Sequence, residues 1–141
     1  MRMYRFPHFI RYDKRGASAV EFALLAPVLL AFIILLIEGG RMQWTQQVIQ
    51  EVASNAARCM ALGTTDCAST AEIQSYARRR SSGWGVSLAN ATITPAANQT
   101  CNSIVGMNRV TITLPYSTVA GNLLPAAPDR LLASACFPSI A

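Results

Sequence analysis

The chain has 141 residues, of which 52% are hydrophobic and 13% charged, and its formal net charge is +5. So high an apolar content with so little net charge excludes disorder, and the length suits one modest folded domain at most. The single histidine, His8, and the single lysine, Lys14, both precede the longest apolar run, so no Ser-His-Asp or Cys-His pair and no P-loop lysine can form downstream.

In chain order, the first segment is a basic leader. Residues 1–16 hold Arg2, Arg5, Arg11, Lys14 and Arg15 against Asp13 alone, whereas residues 17–141 hold seven arginines against six acids. A nucleic-acid-binding domain would carry its positive charge on the folded part, so this distribution argues against one. It fits a membrane-targeting segment whose basic end stays cytoplasmic.

Residues 22–37 follow, sixteen in a row without a polar side chain. Extended back to Ala17, the segment takes in Glu21 and reaches 21 residues, which as a helix rises about 31 Å, enough to cross a bilayer. A conventional signal peptide would end in small residues of the A-x-A kind. Here the next residues are Glu38-Gly39-Gly40-Arg41, so a retained membrane helix is expected. Pro27 is predicted to kink it between residues 24 and 32.

Helical periodicity continues to Leu62. Trp44, Val48, Ile49, Val52, Ala56 and Met60 recur at spacings of mostly three and four. Gln43, Gln46, Gln47, Gln50, Glu51, Ser54, Asn55 and Arg58 supply the polar face. Beyond Trp44 the apolar stripe is expected to pack on the chain's own C-terminal domain. Ser69-Thr70-Ala71-Glu72 is a capping box, predicting a second helix over residues 70–80 that ends in Arg78-Arg79-Arg80. The period then changes to two. Residues 86–94 and 108–116 read as strands, the second with Val110, Ile112, Leu114 and Tyr116 on one face and Arg109, Thr111 and Thr113 on the other. Residues 120–129 read as a loop and residues 131–137 as a third, short strand. The fold class is therefore α+β: a long N-terminal transmembrane and stem helix, then a small antiparallel sheet with one short helix. The divisions are a leader over 1–16, the membrane and stem helix over 17–62, and a small exported domain over 63–141.

Cys59, Cys67, Cys101 and Cys136 all follow the apolar helix. Four cysteines in a small exported domain read as two disulfides. Three pairings are possible. Cys59 with Cys67 and Cys101 with Cys136 is preferred, the first closing a short turn after the stem, the second tying the loop before the middle strand to the last strand. A zinc site would want C-x-x-C or a nearby histidine, and neither is present. No metal, cofactor or catalytic residue is expected.

The junction Arg15-Gly16-Ala17-Ser18-Ala19-Val20-Glu21-Phe22 resembles a type IV prepilin processing site. Such a site is cut after the glycine by a membrane-embedded aspartyl peptidase, and the new fifth residue is glutamate. Together with Leu24-Leu25-Ala26-Pro27, the leucine/isoleucine run and Glu38-Gly39-Gly40-Arg41, it is similar to the TadE-like family, minor pseudopilins of the Tad (tight adherence, Flp-type) pilus. The resemblance is dense over residues 15–62 and looser beyond.

The resemblance implies cleavage between Gly16 and Ala17, with Glu21 and Phe22 acting in assembly and Glu21 pairing with the N-terminal amine of a neighbouring subunit. It implies a single-pass protein of a bacterial inner membrane, N-terminus cytoplasmic and C-terminal domain periplasmic. The implied partners are the prepilin peptidase, other pilin or pseudopilin subunits, the Tad inner-membrane platform and the lipid bilayer, with no nucleic acid. The competing expectation is an unprocessed, membrane-anchored periplasmic binding or adhesion domain.

Overall fold

A computed structural model describes residues 15–118 and 128–139. Most of the basic leader and most of the 120–129 loop lie outside the described residues. The chain divides into two compact units, Met1–Ile37 and Glu38–Ala141.

The described part of the first unit is helical and belongs to α1 (Arg15–Ala61). Alanine and leucine dominate it, and both favour helix. The helix is unbroken through Pro27, although a proline removes one backbone hydrogen bond and crowds the preceding turn. Among the described residues its large apolar side chains are left uncovered: Phe22 is 73% exposed, and even Ile33, the most covered of the large ones, is 41% exposed.

The second unit contains the rest of α1, a 3₁₀ turn (Thr65–Cys67), α2 (Thr70–Ser82), β1 (Thr92–Cys101), β2 (Ile104–Pro115) and β3 (Arg130–Pro138). The α+β expectation holds. In α1, Ile49, Val52, Ala53, Ala56 and Ala57 are completely buried. Their spacing of i, i+3, i+4, i+7 and i+8 is one helical stripe. Three of the five are alanines, small enough to let the helix approach its neighbours closely. The stripe joins Ile73 and Ala77 of α2, Val86 and Leu88 of the following loop, and Ile93, Val110, Ile112, Leu114, Leu131 and Ala133 of the sheet in one core.

Two signals end and start the helices. Gly63 adopts φ +61°, and its N–H bonds the Met60 carbonyl at 3.3 Å. This left-handed residue just past the helix is a conformation that glycine takes without the Cβ penalty. At the start of α2, the Ser69 hydroxyl accepts the Glu72 N–H at 3.3 Å, the cap expected of that serine.

The sheet is antiparallel in the order β1-β2-β3. Val110, Ile112 and Leu114 are buried and Tyr116 half-buried, while Thr111 and Thr113 lie on the wetter face. Both edges are covered by glutamines. Gln46 and Gln50 of α1 donate to the Leu132 and Ser134 carbonyls of β3 at 2.8 and 3.2 Å. Gln74 of α2 donates to the Ile93 carbonyl of β1 at 3.0 Å. The first pair works because four helical residues rise about 6 Å and two strand residues about 6.6 Å, so successive side chains meet successive outward carbonyls. Capped in this way, the carbonyls are not open to strand addition.

The first strand departs from the sequence reading. Residues 86–91 are not strand, and β1 continues seven residues past Thr94. Val86, Leu88 and Ala91 are buried, which produces a near-alternating pattern. No strand lies alongside them. The Val86 N–H instead bonds the Ser81 carbonyl at 3.1 Å and the Ala91 N–H bonds Leu88 at 3.2 Å. Beyond Thr94, β1 accommodates Pro95 because it is an edge strand. Cys101 pairs with Ile104 across a two-residue turn, in which Asn102 and Ser103 have φ of 49° and 68°. Positive φ at both central residues is the tight hairpin geometry that suits twisted strands. Cys101 thus ends a strand rather than sitting in a loop.

Of the three possible cysteine pairings, the structure holds Cys59 with Cys67 and Cys101 with Cys136, with Cα separations of 5.9 and 6.5 Å.

Candidate processing and assembly segment

Gly16 and Ala17 lie in the first turn of α1, both exposed. They are helical rather than extended. Glycine weakens a helix by up to about 1 kcal/mol relative to alanine, which lowers the cost of unwinding this bond into an extended form. A Cβ built on Gly16 would meet nothing within 4 Å. The space around the bond is open.

Glu21 follows on the second turn. It is exposed, and it makes no hydrogen bond or ion pair among the described residues. Phe22 beside it is also exposed. The segment therefore presents one carboxylate and one aromatic ring at the head of an uncovered apolar surface. A carboxylate in that setting costs a few kcal/mol in hydrocarbon unless it is paired. The helix from Gly16 onward is long and apolar enough to cross a membrane.

In the second unit, the Arg41 guanidinium donates to the Glu38 Oε1 at 3.1 Å, and the Glu38 side chain is only 10% exposed. The i, i+3 spacing of the two could have predicted this pair. All four cysteines are bonded, so none offers a thiolate. Among the described residues no three His, Cys, Asp or Glu side chains gather as metal ligands.

Trp44 departs from its expected place in the core stripe. It is 53% exposed, and its ring meets Trp84 edge to face, with centroids 6.2 Å apart. Its indole N–H donates to the Trp84 carbonyl at 3.3 Å. Trp84 is set by the end of α2, where the Ser81 carbonyl accepts the Trp84 N–H at 3.0 Å and Gly85 takes φ +74°. Sequence reasoning had no means of pairing residues forty apart.

No curated protein and no solved structure matches the chain. One family model does, and its span begins at the glycine and ends within α1. Residues 16–58 match the model described as TadE-like protein, the family of Tad pilus systems that the Gly16 to Arg41 residues resemble.

Proposed function

We propose that this chain is a minor pilin or pseudopilin that takes part in Tad-type pilus assembly and surface adherence. The prepilin peptidase cuts between Gly16 and Ala17. Residues 1–16 are the cytoplasmic leader, residues 17–62 the membrane and stem helix, and residues 63–141 a periplasmic domain. The protein is inserted once in a bacterial inner membrane, N-terminus inside. Its work is packing, not catalysis.

The observation that carries this reading is Glu21. An unpartnered carboxylate stands five residues after a glycine whose surroundings are open, at the head of an apolar helix surface that its own chain leaves bare. Cleavage after Gly16 creates an α-amine at Ala17. A neighbouring subunit's amine then neutralises Glu21, removing two isolated charges from the bilayer together. Exposed residues 22–37 pack first on lipid, then on the helices of the Tad platform and other pilin subunits. Two disulfides agree with an oxidising, periplasmic location for the domain.

The test is the N-terminal sequence of membrane-extracted protein from cells with and without the prepilin peptidase. The expected start is Ala17 only when the peptidase is present. A start at Met1 in both would favour the unprocessed anchor carrying a binding or adhesion domain. Glu21→Gln separates assembly from cutting: the expected outcome is normal insertion and processing with loss of piliation.

A further inference from the structure

The second unit carries a surface patch that neither the core nor the pilin reading uses. Trp44 and Trp84 are 53% and 46% exposed, and they are the molecule's only tryptophans. With Gln47, Val48 and Glu51 they line a shallow groove of about 240 Å³. Trp44 also borders a second groove, shared with Arg41, Gly85 and Val86. Arg78 borders a third, again with Gly85 and Val86. Arg80 reaches the Trp groove through Glu51, at 3.8 Å. Arg41 thus shares a groove with Trp44, Arg80 reaches the Trp groove through Glu51, and Arg78 lines a neighbouring groove.

We infer that this patch rests on anionic phospholipid headgroups, with the indoles at the headgroup level and the arginines on phosphate. Tryptophan is the side chain most favoured at that depth, because its ring is apolar and its N–H polar. Arginine offers five donors in a fork that matches phosphate oxygens. Arg41 and Arg80 keep 58% and 46% of their side-chain surface exposed despite their carboxylate partners, so donors remain free. Among the described residues Arg78 has no carboxylate partner, and it donates to the Ala89 carbonyl at 3.1 Å.

Position along the chain points the same way. Arg41 and Trp44 follow the apolar run by four and seven residues. In a helix four and seven residues rise about 6 and 10 Å, which puts Arg41 within a headgroup layer roughly 5–7 Å deep and Trp44 at its outer edge. The inference rests on the membrane-anchored reading of residues 22–37 and adds a second contact to it.

The experiment uses the full chain reconstituted in vesicles of phosphatidylcholine, with or without phosphatidylglycerol. Symmetric vesicles make orientation immaterial, and every tryptophan photon comes from the patch. A nitroxide on the lipid headgroup reports contact. The expected result is a blue-shifted emission and stronger nitroxide quenching when phosphatidylglycerol is present, both reversed by salt. Arg78→Gln with Arg80→Gln should lower the equilibrium constant for lipid contact on the order of tenfold, with the domain's unfolding midpoint little changed.

Quenching that ignores lipid charge, or that survives the double variant, overturns the inference and leaves the grooves to a protein partner. Alkaline carbonate extraction tests the anchor separately. A chain that stays with the vesicles but shows no charge dependence fails only the headgroup contact, whereas one stripped from them fails both readings.

Discussion

The two halves of α1 have the same backbone and opposite surroundings. Between residues 22 and 37 the large apolar side chains are 41% to 73% exposed, whereas Val48, Ile49, Val52, Ala53, Ala56 and Ala57 are at most 4% exposed. Helix propensity does not distinguish them, since Ile, Val and Ala serve both. The difference is in what covers them. The later half is covered by this chain's own sheet and second helix. The earlier half has no cover among the described residues, and on the reading proposed above lipid or other subunits supply it. The domain's stability therefore rests on the second half, the proposed reading gives assembly to the first, and substitutions should separate the two.

The largest expected effect is a buried charge in the covered half. Val52→Asp puts an uncompensated carboxylate into a completely buried site and should cost on the order of 5 kcal/mol, unfolding the domain. Val28→Asp, at a position 68% exposed, should leave the domain folded and instead penalise membrane insertion by about 2.5–3.5 kcal/mol. Tryptophan emission reads the domain, because both tryptophans belong to the second unit, and membrane extraction reads insertion. If Val28→Asp unfolds the domain as well, the halves are not independent.

The disulfides sharpen the comparison within the covered half. Cys101 and Cys136 are 35 residues apart in sequence, and Cys59 and Cys67 are eight apart. On the loop-entropy account, losing the long bridge costs roughly 4 kcal/mol and losing the short one roughly 2.5 kcal/mol. Paired serine variants, unfolded in urea in mild detergent, should show that order. The reverse order would mean that the short bridge holds the turn after α1 enthalpically. Neither variant should change whether Ala17 becomes the N-terminus.

These contrasts also explain what the sequence could and could not disclose. Local signals survived well. The stem helix expected over 17–62 is α1, the Ser69 cap starts α2, and the alternation from Val110 to Leu114 is the buried face of β2. Failures came where burial and backbone pairing parted. Val86 and Leu88 alternate like a strand because a loop feeds them singly into the core. The expected strand stopped at Thr94, yet the edge strand β1 runs on through Pro95 and, by way of a bulge, Asn98. Trp44 has the spacing of the core stripe, but the stripe's buried part begins at Val48, and Trp84, its partner, arrives from another element. The Gly16 to Phe22 motif could be read as a unit because its residues are contiguous in sequence. The tryptophan patch could not, because tertiary folding assembles it.

The smallest expected effect lies at the boundary between the halves. Gly39 and Gly40 are helical, and a Cβ added at either meets nothing within 4 Å. Neither is needed for a positive φ or for close packing within the chain. Each weakens the helix by about 0.5–1 kcal/mol relative to alanine. Gly39→Ala with Gly40→Ala should therefore slow amide exchange over residues 36–44 severalfold in detergent, while the domain's unfolding midpoint stays put. Piliation is the informative second reading. If it falls although the helix is firmer, then bending at this boundary is what lets the bare half leave lipid for its neighbours while the covered half keeps its fold. If it is unchanged, the two halves act as one rod, and the glycines contribute only the absence of a side chain.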